Sequence, residues 1–102
     1  MTNKISRSVY VEGRQWVDKN AGECYFSYRL WVDGSIVHTQ GIAYGYERQF
    51  ENDAVDWLLS NGYAPDDVTA TYLWHLRDAL SVDTYASMAT GAKRELFKGE
   101  AN

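Results

Sequence analysis

Cysteine and histidine are scarce in this sequence of 102 residues, with one of the former and two of the latter. Cys24 alone rules out an internal disulfide and a multi-cysteine zinc site, and a reducing compartment is the economical expectation. His38, His75 and Cys24 are too far apart to show a metal-ligand spacing. The glycines form neither a P-loop nor a dinucleotide fingerprint. Nowhere do eighteen apolar residues follow one another, and Lys4 and Arg7 have no apolar run behind them, so no membrane span or secretory leader is expected and the cytoplasm is the predicted location.

What the chain has in quantity is aromatic rings, 15% of the residues, within a composition that is 45% apolar and 24% charged. A chain of this size makes one domain with a thin core, and large rings supply the missing buried area. The prediction is a single domain over residues 1–102, with 1–8 and 99–102 as loose termini. The net charge of −4 is unevenly spread. Residues 1–46 carry five basic groups and four acidic ones, whereas the rest carries five and ten. Only Arg77 offsets the carboxylates between Glu51 and Asp83, so that region should project a negative field.

Residues 10–18 read as a strand with Val9, Val11 and Val17 on one face, and Lys19-Asn20-Ala21-Gly22 is turn chemistry. Residues 23–32 alternate: Cys24, Phe26, Tyr28, Leu30 and Val32 point one way, Tyr25, Ser27, Arg29 and Trp31 the other. Asp33-Gly34 predicts a two-residue type I′ hairpin into a third strand over 35–43. That closure sets Val32 opposite Ser35, Trp31 opposite Ile36, Leu30 opposite Val37 and Arg29 opposite His38. A four-residue first turn puts Asp18 opposite Glu23, Trp16 opposite Tyr25, Glu12 opposite Arg29 and Tyr10 opposite Trp31.

Beyond Tyr46 the period changes. Phe50, Ala54, Trp57 and Leu58 define an amphipathic helix over 48–61, stopped at Gly62. Pro65-Asp66-Asp67 suits the first turn of a second helix, with Tyr72, Leu73, Leu76, Ala79 and Leu80 as its apolar stripe. Residues 82–89 fit either continued helix or, through their alternation, a strand returning to the sheet, and the strand is preferred. The predicted fold class is α+β: an antiparallel sheet of three N-terminal strands, with a fourth near the C-terminus, packed on one face by two helices.

Gly13-Arg14-Gln15-Trp16, Gly22-Glu23-Cys24-Tyr25, Asp33-Gly34 and Tyr44-Gly45-Tyr46 form a spaced set, and Lys93-Arg94-Glu95-Leu96 makes a basic ending that closes on leucine. This set resembles small uncharacterised accessory proteins of tailed bacteriophages, in which a GRxW strand, a GxxY strand and a YGYG segment precede a helix. Glu47 stands where the second glycine of that segment is usual, and the insert between the helices is short. The resemblance implies a phage-encoded accessory protein in the host cytoplasm and brings no catalytic residues.

The catalytic candidates are weak on their own terms. Cys24 falls on the core face of its strand, where cysteine is normally an inert hydrophobe. His75 and Asp78, three apart, have the spacing of an acid–base pair, but also that of an ordinary helix-surface contact. No enzyme activity and no cofactor are expected. The sheet face opposite the helices is more informative: it would gather Tyr10, Arg14, Trp16, Tyr25, Arg29, Trp31 and His38, with Ile36, Gln40 and Ile42. Aromatic rings beside arginine are the composition of a protein contact, so an unidentified host or anti-phage defence protein, or a second copy through this face, is the expected partner, inhibited by occupancy. If the C-terminal tail or a helix covers the face, its aromatics are core instead.

Two further uses follow from the same residues. Rings beside arginine stack single-stranded bases, although the acidic balance and the lack of an RNP motif count against nucleic acid. Glu51, Asp53, Asp56, Asp66 and Asp67, with Glu47, Asp78 and Asp83, would form an acidic surface able to imitate phosphate spacing.

Overall fold

The computed structural model describes residues 5–46 and 48–98. Glu47, residues 1–4 of the loose N-terminus predicted over 1–8, and the loose end predicted at 99–102 therefore lie outside the described residues. The chain runs through β1 (Ser8–Asp18), β2 (Glu23–Val32), β3 (Ser35–Tyr44), α1 (Gln49–Ser60), α2 (Leu73–Leu80) and β4 (Asp83–Thr90), then a short 3₁₀ turn, Lys93–Glu95. The strands make one sheet in the order β3-β2-β1-β4, an α+β fold. β1, β2 and β3 pair antiparallel, while β4 returns beside β1 in parallel, from Ser8 opposite Asp83 to Gln15 opposite Thr90. A parallel return needs a crossover, and the two helices provide it.

Turn chemistry places the first three strands. Asp33 and Gly34 both have positive φ, 52° and 87°, as a type I′ turn requires. Asp33 also ties down the N-terminus: its carboxylate accepts from the backbone N–H groups of Ser6, Arg7 and Ser8. Burial alone would push that carboxyl up, but these donors outweigh it and hold it below the usual carboxylate range. With Ile5 buried as well, residues 5–8 belong to the fold and the loose N-terminus does not extend to them. The first turn keeps its predicted register, with Asp18 opposite Glu23, Trp16 opposite Tyr25, Glu12 opposite Arg29 and Tyr10 opposite Trp31.

The core lies between the helices and one face of the sheet. Val9 and Val11 from β1, Phe26, Tyr28, Leu30 and Val32 from β2, and Phe50, Ala54, Val55 and Leu58 from α1 are buried there with Leu73 and Leu76 from α2. Val17 shares the face of Val9 but runs past the helices and is exposed. Gly62 takes the left-handed conformation, φ 77°, just beyond α1. α2 is shorter than the sequence predicts, because Pro65-Asp66-Asp67 forms a turn closed by Val68 N–H on the Pro65 carbonyl. The helix starts only where His75 Nδ1 accepts from the N–H groups of Thr71 and Tyr72, at 3.0 and 3.1 Å. Tyr72 is consequently exposed, as is Ala79, so the buried stripe narrows to Leu73 and Leu76.

β3 departs most from expectation. Val32 faces Ser35 and Trp31 faces Ile36 as predicted, but the register then shifts, so Leu30 faces His38 and Arg29 faces Thr39. A second shift before Ala43 completes two irregularities in one strand. Each extra residue reverses the faces of those that follow.

Candidate functional site

The first shift turns His38 to the helix side, where its ring stacks on Trp57 with centroids 4.5 Å apart and meets Tyr28 edge-on. His38 is therefore not part of the outer face, and Gln40, opposite Tyr28, leaves it too. Ile36 and Ile42 are exposed.

On the outer face Tyr10, Arg14, Trp16, Tyr25, Arg29 and Trp31 do come together as predicted, but the tail crosses their middle. Gly91 N–H donates to the Gln15 carbonyl, Arg14 Nη1 donates to the Glu95 carbonyl at 3.0 Å, and Phe97 N–H donates to Ser27 Oγ at 2.8 Å. The Phe97 ring lies under both guanidinium groups, 4.5 Å from Arg14 and 4.3 Å from Arg29. Leu96 and Phe97 are buried, and Ser27, a hydroxyl on the outer face, is wholly so.

The tail divides the aromatic patch into two ends, roughly 20 Å apart along β1. At one end, Trp16 stacks on Tyr25 at 5.4 Å, Tyr25 meets Tyr44 edge-on at 5.7 Å, and Tyr44 meets Tyr46 at 5.4 Å. Hydrogen bonds fix this ladder: Tyr25 donates to Glu23 and Tyr44 to Tyr46, which pushes the Tyr44 hydroxyl up to about 12. At the other end, Ser8, Tyr10, Trp31, Gly34 and Tyr85 line a recess of about 410 Å³. Trp31 is held there by donating to Glu12, and Tyr10 by sharing a 2.7 Å hydrogen bond with Ser87. Tyr85, on β4 beside Tyr10, is 55% exposed and was not among the predicted contact residues. Its alternation with Ser87 was legible; the parallel pairing that brings it beside Tyr10 was not. Phe97 was missed too, although Leu96-Phe97 in a basic tail is an apolar pair in need of cover.

The acidic surface is less unified than predicted. Glu51 is buried and accepts from Arg48, whose Nε lies 2.7 Å away, so it is removed from that surface. Asp53 accepts from the Tyr28 hydroxyl, which burial and this bond push far above the ordinary tyrosine range. Asp56 is exposed on α1, while Asp66 and Asp67 are exposed in the separate turn after Pro65. A polar groove between α1, α2 and β4 is lined by Arg48, Asn52, Trp74, Arg77 and Thr84 among others.

Cys24, His75 and Asp78, the nucleophilic and acid–base candidates of the sequence, are each engaged in other contacts. The Cys24 thiol is buried, donates to Gln15 Oε1 at 3.6 Å, and is pushed up by burial, away from thiolate character. His75 caps α2 through Nδ1, and Asp78 accepts from Arg77 rather than pairing with His75. Among the described residues no cluster of three or more His, Cys, Asp or Glu side chains suits a metal ion, and no helix is long and apolar enough to cross a membrane. Compared with protein-family models, curated proteins and solved structures, the chain matches none.

Proposed function

We propose that this chain is a non-catalytic binding protein, phage-encoded and acting in the host cytoplasm, that occupies the surface of a host or anti-phage defence protein. The observation that carries this reading is the recess between Tyr10, Trp31 and Tyr85, where rings from three adjacent strands surround an open apolar hollow. Rigid aromatic walls lose little entropy on binding and suit an apolar anchor side chain from a partner. The Trp16–Tyr25–Tyr44 ladder extends the contact at the other end of the face. Single-stranded nucleic acid fits less well, because the arginines that would flank the stacked bases are already seated on Phe97.

Affinity capture from host extract with mass-spectrometric identification, repeated with Trp31→Ala and Tyr85→Ala, tests the proposal. Each substitution should weaken capture of the same protein by more than about 1 kcal/mol while the fold survives. Partner capture indifferent to both changes would refute it, as would a gel shift with single-stranded DNA or RNA that is lost on Arg14→Ala and Arg29→Ala.

A further inference from the structure

The sheet ends in β3 on one side and β4 on the other, and the two edge strands are not alike. β3 is broken by two register shifts, which twist an edge away from further pairing. β4 pairs with β1 in unbroken register over all of its residues, contains no proline, and carries a single charge, Asp83, at its first position. Beyond Asp83 at its start, β4 itself has no charge, proline or bulge to blunt it as an edge strand.

The hydrogen bonds show which groups this edge offers. Asp83 N–H donates to the Arg7 carbonyl and Gly91 N–H to that of Gln15, so the odd-numbered residues between them turn their backbone groups toward β1. The N–H and C=O groups of Thr84, Ala86, Met88 and Thr90 therefore point outward. In an antiparallel pair of two copies of β4 with the twofold axis at Ser87, Thr84 meets the second copy's Thr90 and Ala86 meets its Met88. Each such pair exchanges two N–H···O=C bonds, and every outward group is satisfied. Moving the axis to Ala86 or Met88 leaves groups at one end unpaired.

The side chains fit that register. Ala86, Ser87 and Ala89 are small and exposed, and Tyr85 falls opposite Ala89 instead of another ring. Charge agrees as well: antiparallel apposition sets Asp83 at the acidic start of β4 opposite Gly91 of the other copy, toward the exposed Arg94, while Lys93 is turned inward over the Trp16 ring. A parallel pairing would set like ends together.

We infer that the occupant of the β4 edge is a second copy of this chain, paired antiparallel about Ser87 to make one continuous sheet across a twofold dimer. This is separate from the recess reading, because it uses the backbone edge and not the ring walls. The dimer also places the two Tyr85 rings on the same outer face, either side of the axis, so a dimeric partner would find two recesses.

Sedimentation velocity from micromolar to millimolar concentration should show reversible dimerisation. Ala86→Pro removes an outward N–H that the monomer does not use, and should weaken the dimer more than tenfold with the circular dichroism unchanged. The register is tested in otherwise parental protein by Ser87→Cys, since facing Cα atoms in a non-hydrogen-bonded pair lie about 4.5 Å apart, within disulfide reach. That variant should form a covalent dimer on mild oxidation, and Tyr85→Cys should not. A protein monomeric throughout the range would overturn the inference. So would a dimer that survives Ala86→Pro and does not cross-link through position 87, or one abolished by Trp31→Ala alone.

Discussion

Replacing Phe97 with alanine tests whether the tail is an integral layer of the fold. The ring is 8% exposed, so its removal forfeits most of the transfer free energy of a buried phenylalanine, about 1.5 to 3 kcal/mol. Two guanidinium contacts at the edge of solvent add roughly 0.5 to 1 kcal/mol each, and residual burial in the unfolded chain takes back some 10 to 40%. The net loss is about 2 to 4 kcal/mol, a large part of the stability of a domain this size, and should lower Tm by roughly 10 to 25 °C. Urea unfolding at neutral pH measures it, and a double-mutant cycle with Arg29→Ala should return a coupling of about 0.5 to 1 kcal/mol. A loss below about 0.5 kcal/mol, or a cycle without coupling, would mean that the tail does not rest on the sheet in solution.

Trp57→Ala should cost about 1.5 to 3 kcal/mol in the same unfolding assay, less than a fully buried tryptophan, because its ring is only half-buried between His38 and Tyr63. Gly13→Ala should destabilise by about 1 to 3 kcal/mol, since the new Cβ would stand 2.8 Å from the Ser87 carbonyl oxygen and force β1 and β4 apart; an unchanged Tm would contradict that packing. The Asp33 carboxyl is depressed in the folded state, so its stabilisation is present above its unfolded pKa of about 3.9 and is lost as pH falls through the folded value. The difference in unfolding free energy between parent and Asp33→Asn should accordingly be constant near neutrality and shrink below about pH 4; a gap that widens in acid would reverse the assignment.

Much of the fold was legible because local chemistry dictates it. Only residues tolerant of positive φ suit a type I′ turn, and Asp33-Gly34 supplies them, which fixes where β2 ends and β3 begins. The alternation from Cys24 to Val32 states which face is buried. The shifts in β3 were not legible in the same way. The bulge near Val37 replaces one β-former by another and leaves no mark in composition, yet it carries His38 through the sheet to Trp57. Gly41 was the one available signal for the second, since an isolated glycine in a strand often marks a bulge. The start of α2 depended on His75 reaching back to two amides, a contact that no periodicity expresses.

The outer face shows why composition alone could not choose between a binding surface and a covered one. Tyr10, Arg14, Trp16, Tyr25, Arg29 and Trp31 are as suitable for bases as for protein, and the difference lies in what Phe97 already occupies. A base that stacked between Arg14 and Arg29 would first have to lift that ring. The displacement costs about the 2 to 4 kcal/mol that Phe97→Ala should remove, or roughly 30- to 1,000-fold in affinity. Stacking returns about 1 to 3 kcal/mol per base, so the displacement cancels most or all of what the first base would contribute. The Tyr10–Trp31–Tyr85 recess asks for no such displacement: it is open with the tail in place, so a partner inserting an apolar side chain bears only the ordinary costs of association. A ligand that leaves the tail in place therefore meets the face at its end and not at its middle.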